Sequence, residues 1–151
     1  MLSIRQRLAR DEGFTLIELL VVLIIIGVLL SIAIPSYLGF QKKAQQTAAM
    51  SDVRSAIPDA EAYFSDSLTN SYTGMTASGL RTTYDSGLVV SSSGSTGIVT
   101  AVGGSTNAQN YCISAVSGGH WAFVKGPGGQ VQNGDTQTTP VTADPCSGFT
   151  G

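Results

Sequence analysis

Residues 13–35 decide the fold of this chain, and they read GFTLIELLVVLIIIGVLLSIAIP. The run from Phe14 to Ile34 is apolar except for Thr15, Glu18, Gly27 and Ser31, and Pro35 closes it. At about 1.5 Å of rise per residue, a helix over these residues is roughly 31 Å long. That length matches the hydrocarbon thickness of a bilayer, roughly 30 Å. The stretch therefore predicts a membrane-spanning helix over residues 14–35.

Glu18 is the single charged residue of this run. A carboxylate in a spanning helix costs about 2.5 kcal/mol or more, which makes the residue a candidate for function. Two plainer interpretations remain open: the carboxyl group is kept neutral, or it is close enough to the membrane surface to reach water. Neither explains why an acid stands at this position.

Six residues from Gly13 to Glu18, Gly-Phe-Thr-Leu-Ile-Glu, resemble the prepilin processing motif of type IV pilins and pseudopilins. The resemblance runs from the basic leader to Pro35 and continues more weakly to about Phe64. It implies cleavage between Gly13 and Phe14 by a membrane-embedded prepilin peptidase, and N-methylation of the new Phe14 amino terminus. It also implies that Glu18 faces the Phe14 amine of a neighbouring subunit and so sets the register of assembly.

The leader, residues 1–13, carries the positive charge that orients the helix. Its arginines are Arg5, Arg7 and Arg10. By the positive-inside rule this end stays cytoplasmic, and the chain after Pro35 lies outside.

Two other fates of the apolar run are open. An ordinary signal peptidase would cut near Ser31-Ile32-Ala33, but the run exceeds the usual 7–15 residues and contains Glu18. A plain uncleaved anchor would leave Gly13-Phe14 and Glu18 unexplained.

Gly27 and Pro35 are weak points of the helix. Proline in a helix interior costs about 3 kcal/mol, and glycine roughly 1 kcal/mol relative to alanine. They predict either a bend or, as the pilin resemblance implies, loss of helical structure between Gly27 and Pro35 inside a filament.

Residues 36–64 have the pattern of an amphipathic helix. Apolar residues alternate at spacings of three and four, and they are Met50, Val53, Ile57, Ala60 and Phe64. Tyr37, Phe40, Ala44 and Thr47 continue this stripe backward. The stripe predicts a face that packs on the rest of the chain. Pro58 indicates either a kink or an early helix end, and Lys42 and Lys43 indicate either contact with lipid headgroups or a solvated face.

Residues 65–151, here called the head, are rich in Gly, Ser and Thr. Ser65–Gly87 predicts a connecting loop, with Tyr72, Leu80 or Tyr84 packed against the head. Short β-branched and aromatic runs predict four strands, Leu88–Val90, Ile98–Val102, Tyr111–Val116 and Trp121–Lys125. Ser117-Gly118-Gly119 predicts a hairpin turn, and Asn133-Gly134 is a weaker turn signal. The expected fold is α+β: a long N-terminal helix packed on a small antiparallel sheet, as in pilins.

Cys112 and Cys146 are the only cysteines. Outside the membrane, two cysteines in a small domain usually form a disulfide. By chain entropy this one would contribute roughly 3–4 kcal/mol, and it resembles the disulfide-bounded C-terminal region of many type IV pilins. A metal pair is disfavoured because no C-x-x-C is present and His120 is the sole histidine, and Asp135 with Asp144 is too small a set for calcium.

The composition argues against several other functions. With 12% charged residues and a net charge of −2, no basic field favours nucleic acid, except as cargo of a filament. Serines are abundant, but His120 is the one histidine that could serve as their base, and the glycines at 126–129 lack the lysine of a phosphate-binding loop. The sequence therefore predicts no enzyme, cofactor, metal site or small-molecule substrate.

The resemblance implies a structural subunit of a type IV pilus. The chain would be exported as a prepilin, held in the cytoplasmic membrane, and polymerised by the pilus machinery into a helical homo-oligomer at the cell surface. Such filaments serve adhesion, motility or DNA uptake. The alternative is a minor pilin or a pseudopilin of a type II secretion or competence machine, acting as a binding or tip module.

Overall fold

A computed structural model of the chain describes residues 14–91, 96–103, 108–134 and 144–149. These residues form α1 (Leu16–Asp66), α2 (Ala77–Thr83), β1 (Thr96–Gly103), β2 (Tyr111–Ser117), β3 (His120–Gly126) and β4 (Gln132–Asn133). The strands pair antiparallel in the order β1-β2-β3-β4. This arrangement confirms the predicted α+β fold. The chain divides into two compact units, residues 1–39 and residues 40–151, which are described separately below.

Helix α1 is 51 residues long and is assigned as helix through both Pro35 and Pro58. Of the two possibilities at Pro58, the early end is therefore wrong, because the helix continues to Asp66. Proline lacks an amide hydrogen, so the carbonyls of residues 31 and 54 lose their usual helical donor. The rest of the hydrogen-bond ladder carries the helix past both positions.

The buried face of α1 in the carboxy-terminal unit consists of small residues, and they are Ala49, Val53, Ala56 and Ala60. The predicted stripe was right at Val53 and Ala60, and Met50, Ile57 and Phe64 pack at its borders. It missed the two other alanines because alanine gives only a weak apolar signal. Its backward continuation is wrong, since Phe40 is 72% exposed.

One face of the sheet completes this core with alternating residues of three strands. They are Ile98 and Ala101 of β1, Tyr111, Ile113 and Ala115 of β2, and Ala122 and Val124 of β3. All seven residues of β2 are buried, because the strand is central and both of its faces are covered. Alternation of side chains across the sheet places Cys112, Ser114 and Val116 on the second face.

The predicted hairpin turn between β2 and β3 is confirmed. Ser117 pairs with His120 across a two-residue loop in which Gly118 and Gly119 have φ of +55° and +84°. Two consecutive positive φ values are the mark of the type I′ turn, which glycine adopts without strain. A Cβ on Gly118 would overlap the end of the Gln45 side chain, so this turn packs directly against α1.

Residues 65–87 contain a helix that was not predicted. Helix α2 begins after Thr76, whose hydroxyl oxygen accepts a hydrogen bond from the Gly79 amide at 3.1 Å. Tyr72 and Leu80 are buried and Tyr84 packs on the same core, as expected. The helix was missed because only two of its seven residues are buried and no apolar period is visible.

The edges of the sheet also differ from the prediction. A strand over Leu88–Val90 is wrong: Val90 forms only an isolated parallel bridge to Ile98, and Val89 is 53% exposed. The short polar strand β4 was not predicted, and its Asn133 pairs with Ala122. The turn suggested at Asn133-Gly134 lies partly outside the described residues, and the Gly134 amide donates to the Trp121 carbonyl at 2.8 Å.

Candidate functional site

The start of α1 is closed by reciprocal hydrogen bonds between Thr15 and Glu18. The Glu18 amide donates to the Thr15 hydroxyl at 3.3 Å, while Glu18 Oε2 accepts from the Thr15 amide at 3.0 Å. The same oxygen accepts from the Thr15 hydroxyl at 2.8 Å. This is the capping box, in which a threonine before the helix and a glutamate three residues later satisfy each other's free groups. The Thr-x-x-Glu spacing was visible in the sequence, but its capping role was missed.

The capping box gives Glu18 a local role within one chain, besides the intersubunit role that was predicted. Both residues are exposed, and Phe14 before them is 83% exposed. Because the Glu18 carboxylate is bonded to Thr15, it lies one residue from Phe14, and its exposure leaves it accessible to a partner. Gly13, the other half of the predicted cleavage site, lies outside the described residues.

The first half of α1 has a continuous apolar surface that its own unit does not cover. From Leu16 to Ile34 every large apolar side chain is between 45% and 82% exposed. Among the described residues, α1 is the one helix long and apolar enough to cross a membrane, judged by length and composition. Such a surface requires a partner of low polarity, either lipid or other helices.

Gly27 and Pro35 both lie inside this exposed helix. A Cβ on Gly27 would meet nothing within 4 Å, so packing within the chain does not require glycine there. Before Pro35, the Ser31 hydroxyl donates to the Val28 carbonyl at 2.7 Å. Their role as weak points stays a prediction.

The head carries the disulfide that its two cysteines predict. Cys112 of β2 is bonded to Cys146, with the two Cα atoms 5.7 Å apart. Both residues are buried, and the bond lies on the face of the sheet away from α1.

Asp144 provides a second attachment of the same tail, and this one was not predicted. Its carboxylate accepts hydrogen bonds from the Ser114 hydroxyl at 2.5 Å, from the Cys146 amide at 2.9 Å, and from the Thr100 hydroxyl. Thr100 and Ser114 are directly opposite each other on β1 and β2. Asp144 therefore ties residues 144–149 to both strands. Asp135, its predicted companion, lies outside the described residues.

A partly buried polar cluster joins α1 to the sheet. Glu61 accepts hydrogen bonds from the hydroxyl of Tyr72 at 2.9 Å and from that of Tyr111 at 3.4 Å. The two rings lie with their centroids 4.7 Å apart. Burial, followed by the charge and hydrogen bond of Glu61, raises the pKa of Tyr111 to about 12, and the pKa of Tyr72 is raised for similar reasons. Both phenols stay protonated and act as donors, so this cluster is structural. Within the described ranges, no group of three or more His, Cys, Asp or Glu side chains is placed to hold a metal ion.

Comparison with known proteins agrees with these features. The sequence model described as "Prokaryotic N-terminal methylation motif" matches residues 8–34. The type IV wide pilus major component PilA4 of Thermus thermophilus is 33% identical over 140 residues, which cover 89% of this chain and 96% of that protein. The chain belongs to the type IV pilin family. Proteins of this family are structural filament subunits rather than enzymes.

Other relatives in the family match only the amino-terminal part. The type IV major pilin protein PilA of Myxococcus xanthus is 40% identical over 57 residues, covering 38% of this chain and 26% of that protein. The type II secretion system core protein G of Aeromonas hydrophila is 46% identical over 44 residues, covering 29% of this chain and 31% of that protein. The chain thus spans about a quarter to a third of these two relatives. No solved structure matches it significantly.

Proposed function

We propose that this chain is the structural subunit of a type IV pilus. The precursor is cut between Gly13 and Phe14 by a prepilin peptidase, and Phe14 is methylated at its new amino terminus. The mature subunit waits in the cytoplasmic membrane with its head outside. The assembly machinery then packs the amino-terminal helices into the core of a filament.

The observation that carries this proposal is the uncovered apolar surface of α1. Its large side chains from Leu16 to Ile34 are all exposed, and Glu18 is the only charge among them. Lipid satisfies such a surface before assembly, and the same surface on neighbouring copies satisfies it in a filament. In lipid, the lone carboxylate of Glu18 is unfavourable unless it is neutralised or paired. Between staggered subunits it meets the Phe14 amine of a neighbour, which compensates both charges.

A pseudopilin of a secretion machine is the second candidate. The likeness to the type II secretion system core protein G supports it, but that likeness covers only 44 residues. The likeness to the wide pilus component extends across 96% of that protein and therefore includes the head. The distribution of similarity along the chain favours the pilin.

The test is to isolate filaments sheared from cells and to sequence their main protein. We expect this chain to dominate the sheared fraction and to begin at a methylated Phe14. A Gly13→Leu variant should remain uncut, and the cells should lack filaments. A mature chain that begins at Ile34 would instead mean ordinary signal-peptidase cleavage. A processed chain that is absent from the filaments and copurifies with a secretion complex would support the pseudopilin.

A further inference from the structure

The head has an open groove beside α2, and the proposed packing of the amino-terminal helices assigns it no role. The groove has a volume of about 550 Å³ and is lined by Ser78, Arg81, Thr82, Ser86 and Val90. A smaller hollow of about 340 Å³ adjoins it and shares Ser78 and Val90. Binding sites for small ligands usually measure roughly 300–1,000 Å³. The groove is therefore large enough for one or two rings of a small polar ligand.

The α2 wall of the groove is held in place by the fold. Leu80 is fully buried in the core, and Thr76 caps the start of the helix. The Thr82 hydroxyl donates to the carbonyls of Ser78 and Gly79, which leaves its oxygen free to accept a further bond. The backbone of this wall is therefore in place before a ligand arrives.

The opposite wall is fixed to the sheet. The Ser91 amide donates to the Ile98 carbonyl at 2.8 Å, and the Ile98 amide donates to the Val89 carbonyl at 2.7 Å. These bonds anchor the residues on either side of Val90 to β1. Binding in the groove therefore needs little rearrangement, which favours affinity.

Among the described residues that line the groove, Arg81 is the one cation. Within the part of the chain that the structure describes, its guanidinium makes no ion pair or hydrogen bond. Its place in the last turn of α2 complements the helix dipole, which accounts for a positive charge there. The dipole does not account for the three hydroxyl groups and the hollow beside that charge.

The chemistry of the lining selects the class of ligand. A guanidinium binds a carboxylate through two parallel hydrogen bonds. Serine and threonine hydroxyls both donate and accept, as recognition of sugar hydroxyls requires, and Val90 offers an apolar surface to a sugar ring. Nucleic acid would need several cations along the groove, and Arg81 is the one cation among its described lining residues. We propose that this groove binds an acidic saccharide, with the carboxylate of a uronic acid on Arg81 and ring hydroxyls on Ser78, Thr82 and Ser86.

The experiment is a titration of the full mature chain in detergent with digalacturonate, followed by NMR. We expect saturable shifts at the groove residues. The matched neutral disaccharide, digalactose, should bind at least about tenfold more weakly, because it lacks the charge-assisted hydrogen bonds. Arg81→Gln should weaken digalacturonate binding by a similar factor. The control Arg54→Gln, on an exposed position of α1, should leave the affinity unchanged.

A second variant and a second ligand keep the test independent of folding. Thr82→Val preserves the shape of the side chain but removes its hydroxyl, and it should weaken binding of both saccharides by severalfold. As the folding control, the melting temperature of Arg81→Gln should stay near that of the wild type. Absence of saturable binding, or an equal loss in Arg54→Gln, would overturn the proposal. Equal affinity for a short peptide carboxylate would overturn the assignment to a saccharide. None of these results depends on whether the chain forms filaments.

Discussion

Glu18 has two candidate roles, and a pair of substitutions separates them. Glu18→Gln removes the charge but keeps an oxygen that can accept from the Thr15 amide and hydroxyl, because glutamine also closes a capping box. Thr15→Ala keeps the charge but removes the hydroxyl that bonds to Glu18 in both directions. Each variant therefore loses one role and retains most of the other.

The expected magnitudes differ enough to be measured. Losing a helix cap costs about 1 kcal/mol, which weakens subunit association by roughly fivefold at most. Leaving a buried charge without its partner costs about 3–5 kcal/mol, or roughly a hundredfold to several thousandfold in association. If Glu18 pairs with the Phe14 amine of a neighbour, Glu18→Gln should nearly abolish filaments and Thr15→Ala should reduce them only mildly.

The assay is a pair of immunoblots, one of the membrane fraction and one of the sheared filaments. Processed Glu18→Gln subunit should accumulate in the membrane, and its amino-terminal sequence should still begin at Phe14. Normal filament yield from Glu18→Gln would refute the charge-pairing mechanism. An equal defect in both variants would mean that the capping box, and not the charge, is what assembly requires.

Three further predictions concern the stability of the head, each measured by thermal unfolding of the full mature chain in detergent. Cys146→Ser should lower the melting temperature by about 12–32 °C, since the disulfide contributes roughly 3–4 kcal/mol and each kcal/mol shifts the melting temperature of a domain of this size by about 4–8 °C. Two alkylated thiols in unreduced wild-type protein would contradict this prediction. Gly118→Ala and Gly119→Ala should each lower the melting temperature, because both positions have positive φ, and unchanged melting temperatures would mean that the turn tolerates a Cβ. Burial, and then the nearby charge of Asp85, raises the pKa of Asp59. Ionised Asp59 therefore lowers the free energy of unfolding above its folded-state pKa, and this loss is recovered as the pH falls through that value. Asp59→Asn should therefore raise the melting temperature at pH 7, with an advantage that shrinks toward mildly acidic pH, and a pH-independent difference would refute this cause.

The parts of the fold that the sequence predicted well are those with a repeated local signal. The apolar run, the stripe through Val53 and Ala60, and the β-branched runs of β2 and β3 each repeat a period over many residues. The two-glycine turn is equally local, because its φ angles restrict the residue type. In all of these, neighbouring residues carry the information.

The parts that were missed depend on contacts with distant residues. Helix α2 forms where Leu80 reaches the core, and β4 forms where a polar pair finds the edge of β3. Asp144 has no local pattern at all, since its partners Thr100 and Ser114 are 44 and 30 residues earlier. At Glu18 the local signal was present, but the membrane interpretation of the run obscured a capping box that the spacing already indicated.

The order of the strands has a consequence for how the chain folds during export. Each strand of the head meets a partner that precedes it in the chain: β1 meets α2, each later strand pairs with the strand before it, and the tail returns to β1 and β2. If the head is exported as proposed, with the amino end held in the cytoplasm, the residues after Pro35 cross the membrane in chain order, and every docking surface would already be outside when the next segment emerges. The sheet can grow as the chain appears, and attachment of the tail at Cys112 is the last event. Apolar strand edges are then exposed only briefly, which limits aggregation before assembly.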